Sequence, residues 1–385
     1  MNFNLTEEQK ALQAQVAEFA DKVVAPGAQA RDQEAKFPVE LYKQVGELGV
    51  TRIPFEEKWG GMGLGTFESV LAYEQLARAD QSLALSTMVS VGTGLLLSRF
   101  GSEGQKEKYL GDIVSGKALG AIAGTEPQAG SDTSAFATRA RPADGGWAVN
   151  GEKAFITNSG TDITSVIVTL VVTSDPSEKQ KTFSLFAVPG DAPGLKVGPS
   201  YRKMGWRSSD THPLFFDDCR IGADALLGEA GQGRYLLHKG YQQARIFLAA
   251  CSLGLAQACL ERSLEYANER QAFGGPIGRL QLVQKTIAEM ALKIEAARLL
   301  VYRTAWMVDQ GTVGLKDLSM AKWYATEIGT ECANAAIQVH GGWGFMDDCP
   351  VSRYYRDNRI CTIGDGTSDI QALVIARGLG LKVEF

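Results

Sequence analysis

The chain changes character twice, and those two changes constrain its fold more than any single motif. Up to about residue 117 the apolar residues recur at helical spacing. Near Ala118 short β-rich runs take over and alternate with turn residues: Trp147-Ala148-Val149, Ala154-Phe155-Ile156-Thr157, Val166 to Val172, Phe183 to Val188, Leu214-Phe215-Phe216. Gly145-Gly146, Asn150-Gly151, Asn158-Ser159-Gly160 and Pro189-Gly190 punctuate them. From about Gly233 long helical patterns return. Strands confined to the middle, with short loops between them, exclude a parallel sheet wound through alternating helices. The expectation is an α+β protein with three parts: an all-helical domain over 1–117, an antiparallel β domain over 118–232 and a helical bundle over 233–385.

Local signals sharpen the first and last parts. Thr6 followed by Gln9 fits a capping box, and Leu12, Val16, Phe19 and Val23 then repeat at helical spacing until Pro26-Gly27. Pro38 opens a second helix that Gly49 stops. Four glycines between Trp59 and Gly65 make that stretch a loop. Helices are expected over 67–79, 83–100 and 103–115. In the last part they are expected over 242–270, 280–310 and 318–339, the last stopped by Gly341-Gly342. Helices this long, joined by short loops, read as a bundle.

The totals exclude some functions. A net charge of -5 argues against nucleic acid or an anionic membrane as the main partner. The six cysteines are scattered without a CxxC pair and read as reduced thiols. Three unclustered histidines make a histidine metal site a poor reading. The N-terminus carries no basic-then-apolar leader, and no window holds eighteen uninterrupted apolar residues. A soluble, cytoplasmic protein is expected.

No G-x-x-x-x-G-K-[ST] loop, no strand-borne G-x-G-x-x-G and no nucleophile elbow is present. Four polar, glycine-containing constellations remain. Thr125 to Asp132 offers hydroxyls and exposed backbone N–H groups that suit a flat, phosphate-bearing heterocycle, or forms a domain-linking turn. Asn268 to Gly274 ends a helix with Arg270, which suits pyrophosphate or simply answers the helix dipole. Gln338 to Phe345 ends another helix, either as backbone for a ligand or as an ordinary glycine cap. Thr362 to Gln371 sets Asp365 between Gly364 and Gly366, which keeps bulk away from its carboxylate; otherwise it is a polar turn in which Thr367 or Ser368 caps the last helix.

Together these stretches resemble the acyl-CoA dehydrogenase family of flavoproteins over essentially the whole chain. The family's Thr-Glu-Pro-x-Ala-Gly-Ser-Asp is matched at 125–132, its Asn-Gly-x-Lys-x-[Trp/Phe]-Ile-Thr-Asn at 150–158, its Glu-Arg-x-x-Phe-Gly at 269–274 and its Gln-x-x-Gly-Gly-x-Gly at 338–344. Its Glu-Gly-Thr-x-x-Ile-Gln is matched at 365–371, with Asp365 for Glu. The resemblance implies an FAD-dependent enzyme that removes hydrogens from Cα and Cβ of an acyl-CoA, with a four-helix C-terminal bundle. It implies Ile122, Gly124, Thr125, Gly130, Ser131, Phe155 and Thr157 around the flavin, and Thr367 and Asp369 toward the rest of FAD. It further implies that Arg270, Phe273, Gln281, Gln338 and Gly342 reach the FAD of a neighbouring subunit, hence a homo-oligomer, most often a dimer of dimers. Ser131, Gln242, Arg245, Gly364 and Asp365 are the implied substrate contacts, and an electron-transferring flavoprotein is the implied acceptor.

Asp365 is the expected catalytic base. An aspartate carboxylate reaches roughly 1.5 Å less than a glutamate's, and a misplacement of about 1 Å can cost on the order of a hundredfold in rate. Gly364 stands where the family usually has a bulky residue, which opens room beside the base. A wide acyl group, alicyclic or branched, is the expectation, with cyclohexanecarboxyl-CoA as the pattern. Ala244, at the position where some relatives carry the base, cannot serve. Two alternatives stay open. One is a flavin oxidase of a small carbon acid, such as a nitroalkane, with Asp as base. The other is a flavin-binding homologue that no longer dehydrogenates.

Overall fold

The computed structural model describes residues 4–178 and 180–383. The helical first part contains α1 (Glu7–Phe19), α2 (Ala28–Glu34), α3 (Val39–Leu48), α4 (Thr66–Ala79), α5 (Gln81–Phe100) and α6 (Glu103–Val114). The capping box forms as the sequence requires: the Thr6 hydroxyl accepts from the Gln9 N–H at 3.2 Å, and the Gln9 side chain accepts from the Thr6 N–H at 3.0 Å. Pro26 does not end the helical course, contrary to the sequence reading. A π-helical turn over Ala20–Val24 and a tight turn over Ala25–Gly27 carry the chain into α2. Pro26 sits in the first positions of a new turn, where its missing N–H costs nothing. The wider π turn also shifts the apolar stripe, so Val24 is buried and Val23 is left exposed.

The middle part is a sheet of eight strands: β1 (Leu119–Ala123), β2 (Arg139–Ala143), β3 (Gly146–Thr157), β4 (Thr164–Val172), β5 (Phe183–Pro189), β6 (Leu195–Val197), β7 (Thr211–Gly222) and β8 (Leu226–Leu227). It is antiparallel apart from two neighbours of β4: β1 lies parallel along it, and β2 touches it in parallel at Arg139 and Val172. Strand β4 is buried on both faces, and its alternation divides the molecule. Val166, Val168, Leu170 and Val172 join the large core shared with the helices. Ile167 and Val171 point the other way, into a smaller core with Phe186, Val188 and Leu214. The sheet is therefore docked on the helices by one face.

The last part comprises α7 (Gly233–Glu269), α8 (Gln281–Asp309), α9 (Leu315–His340), α10 (Pro350–Asn358) and α11 (Ser368–Gly378). Helices α5 and α7 are long and apolar enough to cross a membrane, yet 72% and 89% of their apolar windows are buried in the protein, as in core helices. Helix α7 is the central strut: it packs on α4, α5, α8 and α9, and its N-terminal part faces the sheet. All six cysteines are buried and unpaired by disulfides.

Candidate active site between sheet and bundle

Asp365 lies on the turn that leads into α11, and its backbone is left-handed, with φ of 54°. Aspartate tolerates that region better than most side chains. Gly366 follows at φ 94°, where a Cβ would stand 2.7 Å from the Gln371 amide nitrogen. Three donors from three directions hold the turn. The Lys322 ammonium on α9 donates to the Gly366 carbonyl at 2.8 Å. Gln371 donates to the same carbonyl at 2.8 Å and to that of Asp365 at 3.2 Å. Arg245 on α7 donates to the Asp365 carbonyl at 3.4 Å. Thr367 caps α11 by accepting from the Ile370 N–H at 3.2 Å. Burial pushes the Asp365 carboxyl above the usual carboxylate range, while Lys322 and Arg245 pull it back. Among the described residues, no acceptor takes the Asp365 N–H.

Gly364, beside Asp365, is open. A Cβ there would meet only the Ile360 carbonyl, at 3.6 Å. Gln242 and Arg245 share the first half of α7. Gln242 is half-buried, and Arg245 is buried and engaged with the Asp365 turn.

The sheet supplies the opposite wall. Strand β1 carries Ile122 and ends at Ala123; Gly124 follows it, and Thr125 to Asp132 form a loop in which Gly130 and Ser131 are exposed. A buried ion pair shapes this loop. Lys153 on β3 reaches Glu126 at 2.8 Å and the Gly124 carbonyl at 3.0 Å. Glu126 also accepts from the Ala137 and Thr138 N–H groups at 2.6 and 3.0 Å. Burial works to raise the Glu126 carboxyl, but Lys153 and these donors outweigh it and hold it below the usual range. Burial also brings the Lys153 ammonium down to about 8. The register slips between Lys153 and Ile156, and in that bulge Phe155 takes φ of 62°. Its ring stands 62% exposed and tilts against Tyr201 at 5.0 Å. Ala154 ties this bulge to the loop by donating to the Thr125 carbonyl at 2.9 Å. Thr157 closes β3 opposite Thr211.

Tyr241 bridges the two walls. Its hydroxyl would lie 2.8 Å from a Cβ on Gly124, and Asp365 is near enough to add to the burial that raises its phenol. Sequence reasoning missed Tyr241, Lys322, Gln371 as a clamp, and Lys153 as the partner of Glu126. Lys322 did leave a trace: it falls on the face of α9 that carries Leu318, Ala325 and Gly329, where a lysine is out of place.

Arg270, Phe273, Gln281, Gln338 and Gly342 are not in this cleft. They gather at the far end of the bundle, where Tyr266 of α7 stacks on His340 of α9 at 4.3 Å. At about 1.5 Å per residue, α7 runs roughly 40 Å from Tyr241 to Glu269. All five residues are exposed. Asp369 is exposed on the first turn of α11.

Three domain models of one family match the chain in order: the acyl-CoA dehydrogenase N-terminal domain at residues 6–117, the middle domain at 121–219 and the C-terminal domain at 231–380. The chain belongs to the acyl-CoA dehydrogenase family. A probable acyl-CoA dehydrogenase of Bacillus subtilis, YngJ, is 42% identical over 98% of this dehydrogenase and all of its own length. Among solved structures, butyryl-CoA dehydrogenase from Megasphaera elsdenii aligns with a TM-score of 0.94 at 35% identity, covering 98% of this chain and all of its own. PigA with FAD and proline aligns at 0.93 and 33% identity, covering 99% and 100%.

FAD is the cofactor of this family and of this enzyme. The cleft fits it. A glycine-bearing loop exposed at 130–131 follows Gly124, which Tyr241 links to the neighbourhood of Asp365, and an aromatic ring is held out of the sheet by a bulge. An exposed ring at Phe155 beside the Thr125 loop, with hydroxyls on Ser131 and Thr367, is a set of groups that suits a flat heterocycle with polar substituents.

Proposed function

We propose that this dehydrogenase acts on a short or medium acyl-CoA that is wide at Cα and Cβ, alicyclic or branched, with Asp365 as the base. The observation that carries the reading is the open space at Gly364 beside a carboxylate one methylene short. A broad substrate fills that space and brings Cα to the shorter side chain. Asp365 takes the α-proton, and its lifted basicity suits that task. The thioester carbonyl gathers negative charge as the proton leaves, and the Asp365 N–H, which has no acceptor among the described residues, is the donor assigned to it. Bound FAD would supply the hydride acceptor for the β-hydrogen. The seat for the ring is Ile122, Gly124, Thr125, Gly130, Ser131, Phe155 and Thr157, with Thr367 and Asp369 beyond it; Ser131, Gln242 and Arg245 line the thioester's path.

The far-end set points to assembly. Arg270 sits too far from its own cleft to touch a cofactor there, and Phe273 is 86% exposed and Phe345 80% exposed near it. This supports a homo-oligomer, a dimer of dimers, in which Arg270, Phe273, Gln281, Gln338 and Gly342 complete a neighbour's FAD site. The domain limits are read as 1–117, 118–232 and 233–385. The enzyme is read as cytoplasmic, and electrons pass to an electron-transferring flavoprotein.

The deciding experiment is anaerobic mixing of the flavoprotein with linear, branched and cyclic acyl-CoA thioesters. Bleaching by cyclic or branched thioesters at tenfold or greater efficiency over linear ones of equal carbon count (about 1.4 kcal/mol) supports the substrate reading. Preference for linear thioesters removes it. Bleaching by nitroalkanes alone, or by nothing, favours the oxidase or the non-dehydrogenating homologue.

A further inference from the structure

Lys322 has no part in the reaction as described so far. Its side chain is fully buried in the bundle. Its ammonium makes one hydrogen bond, to the Gly366 carbonyl at 2.8 Å, and among the described residues no carboxylate lies within ion-pair distance of it. A buried lysine without an ion pair is costly, and an apolar side chain of similar volume would fill the space more cheaply. The nearest acid on its own helix is Glu327, which is already taken up by the Ser368 hydroxyl at 2.5 Å. What the lysine does touch is the carbonyl one residue beyond Asp365.

We propose that Lys322 is a positioning residue for Asp365: its ammonium anchors the Gly366 carbonyl, fixes the left-handed turn that aims the carboxylate, and supplies the positive charge that keeps that carboxylate ionised in a site closed by substrate. This rests on Asp365 being the base. The turn needs such an anchor. Asp365 and Gly366 both have positive φ, and a non-glycine residue there holds only if its surroundings fix it. Gln371 shares the anchoring but carries no charge.

The charged and titratable groups around the turn come from three elements. Helix α9 contributes Lys322 and Glu327; α7 contributes Arg245, Tyr241 and Cys251; the segment before the turn contributes Cys361, with Asp357 behind it. Among the described residues, Lys322 and Arg245 are the cations that act on Asp365; Arg359, in the segment before the turn, donates to the Thr362 hydroxyl. Arg245 is bound to the Asp365 carbonyl on the α7 side. Burial drives the Lys322 ammonium down to about 8, and Asp365 opposes that fall, so each charge sustains the other.

The test is the pH profile of flavin reduction by butyryl-CoA, run anaerobically with purified holoenzyme, beside thermal melting and thioester affinity. Lys322→Gln keeps a donor and removes the charge. Its acid limb moves upward by about one pH unit, its maximal reduction rate falls, and thioester affinity stays within about twofold. Lys322→Arg keeps the charge but displaces the anchor, so its limb stays in place while the rate falls several-fold. A limb unmoved in Lys322→Gln overturns the proposal. If that variant does not hold flavin, Lys322→Arg decides: a limb that moves with the charge still present overturns it, and one that stays supports it. Asp365→Asn separates the two readings. If it reduces flavin at the native rate, the base assignment itself has failed; if it is inactive while the Lys322→Gln limb is unmoved, only the role of Lys322 has.

Discussion

The Tyr241 hydroxyl and the Cα of Gly124 face each other across the cleft, so close that a Cβ on Gly124 would stand 2.8 Å from the phenol oxygen. One residue is on the bundle and the other at the end of the first strand. The absence of a side chain on one wall is what admits the phenol from the other. Gly124→Ala should therefore crowd Tyr241, at about 1–3 kcal/mol, and raise KM for thioesters. Tyr241→Phe removes the crowded atom, so the double variant should recover most of the loss. Steady-state kinetics on the four proteins give the coupling, and strict additivity would show that the two residues do not meet.

Gly364 gives a second prediction. Its Cβ position is in ordinary contact with one carbonyl at 3.6 Å, and its φ is not left-handed, so a side chain is tolerated by the backbone. Gly364→Tyr should leave the melting temperature within a few degrees of native. It should lower kcat/KM for cyclic or branched thioesters at least tenfold more than for linear ones. Equal losses on both would mean that the space at Gly364 does not set acyl width.

Asp365→Asn keeps the shape of the turn and removes the proton acceptor. General-base catalysis by a positioned group is worth about 10²–10⁴-fold, so flavin reduction should slow by that order. Thioester binding, followed through the flavin spectrum, should persist. Native-rate reduction would take Asp365 out of its role.

The sequence made some of this legible and hid the rest for physical reasons. The capping box at Thr6 and the stop at Gly49 are local and could be read directly. Strands β1 and β2 could not. Leu119-Gly-Ala-Ile-Ala123 is built from small residues, and β2 contains Pro142, so neither carries a strand signal; pairing with β3 and β4 makes them strands. The motif around Asp365 singled out that residue as the candidate base. Its clamp could not be seen there, because Lys322 and Arg245 reach the turn from helices whose distance in sequence says nothing of their distance in space.

The Lys153–Glu126 pair, at 0% and 2% side-chain exposure, holds the loop proposed to seat the flavin. Lys153→Met leaves Glu126 buried without its cation. Breaking one half of a buried pair costs about 3–5 kcal/mol, so the urea midpoint should fall and FAD should be lost during purification. Lys153→Met with Glu126→Gln should recover part of the stability, because no bare charge remains. A loss below about 1 kcal/mol in the single variant would mean that water or a rearranged loop compensates the charge.

Asp357 sits where the three parts of the molecule meet. One carboxylate oxygen accepts from the Trp206 N–H at 2.6 Å; the other stands 4.0 Å from the Arg353 guanidinium. Burial lifts its carboxyl to about 7, against an ordinary 3.8, despite Arg353. The unfolded chain releases this proton near the ordinary value, while the folded chain keeps it until about 7. Between those values the folded state binds more protons, so this group's contribution to stability is fully present below the window and is lost as pH rises through it. The slope is at most about 1.4 kcal/mol per pH unit. Asp357→Asn keeps the acceptor for Trp206 and cannot titrate. Its stability relative to native should therefore rise from mildly acidic to neutral pH and level off above it, as read from urea unfolding at each pH. Every other carboxylate is common to both proteins and cancels in that difference. A difference that is flat across the window would show that Arg353 keeps Asp357 ionised in the folded protein and that burial does not win.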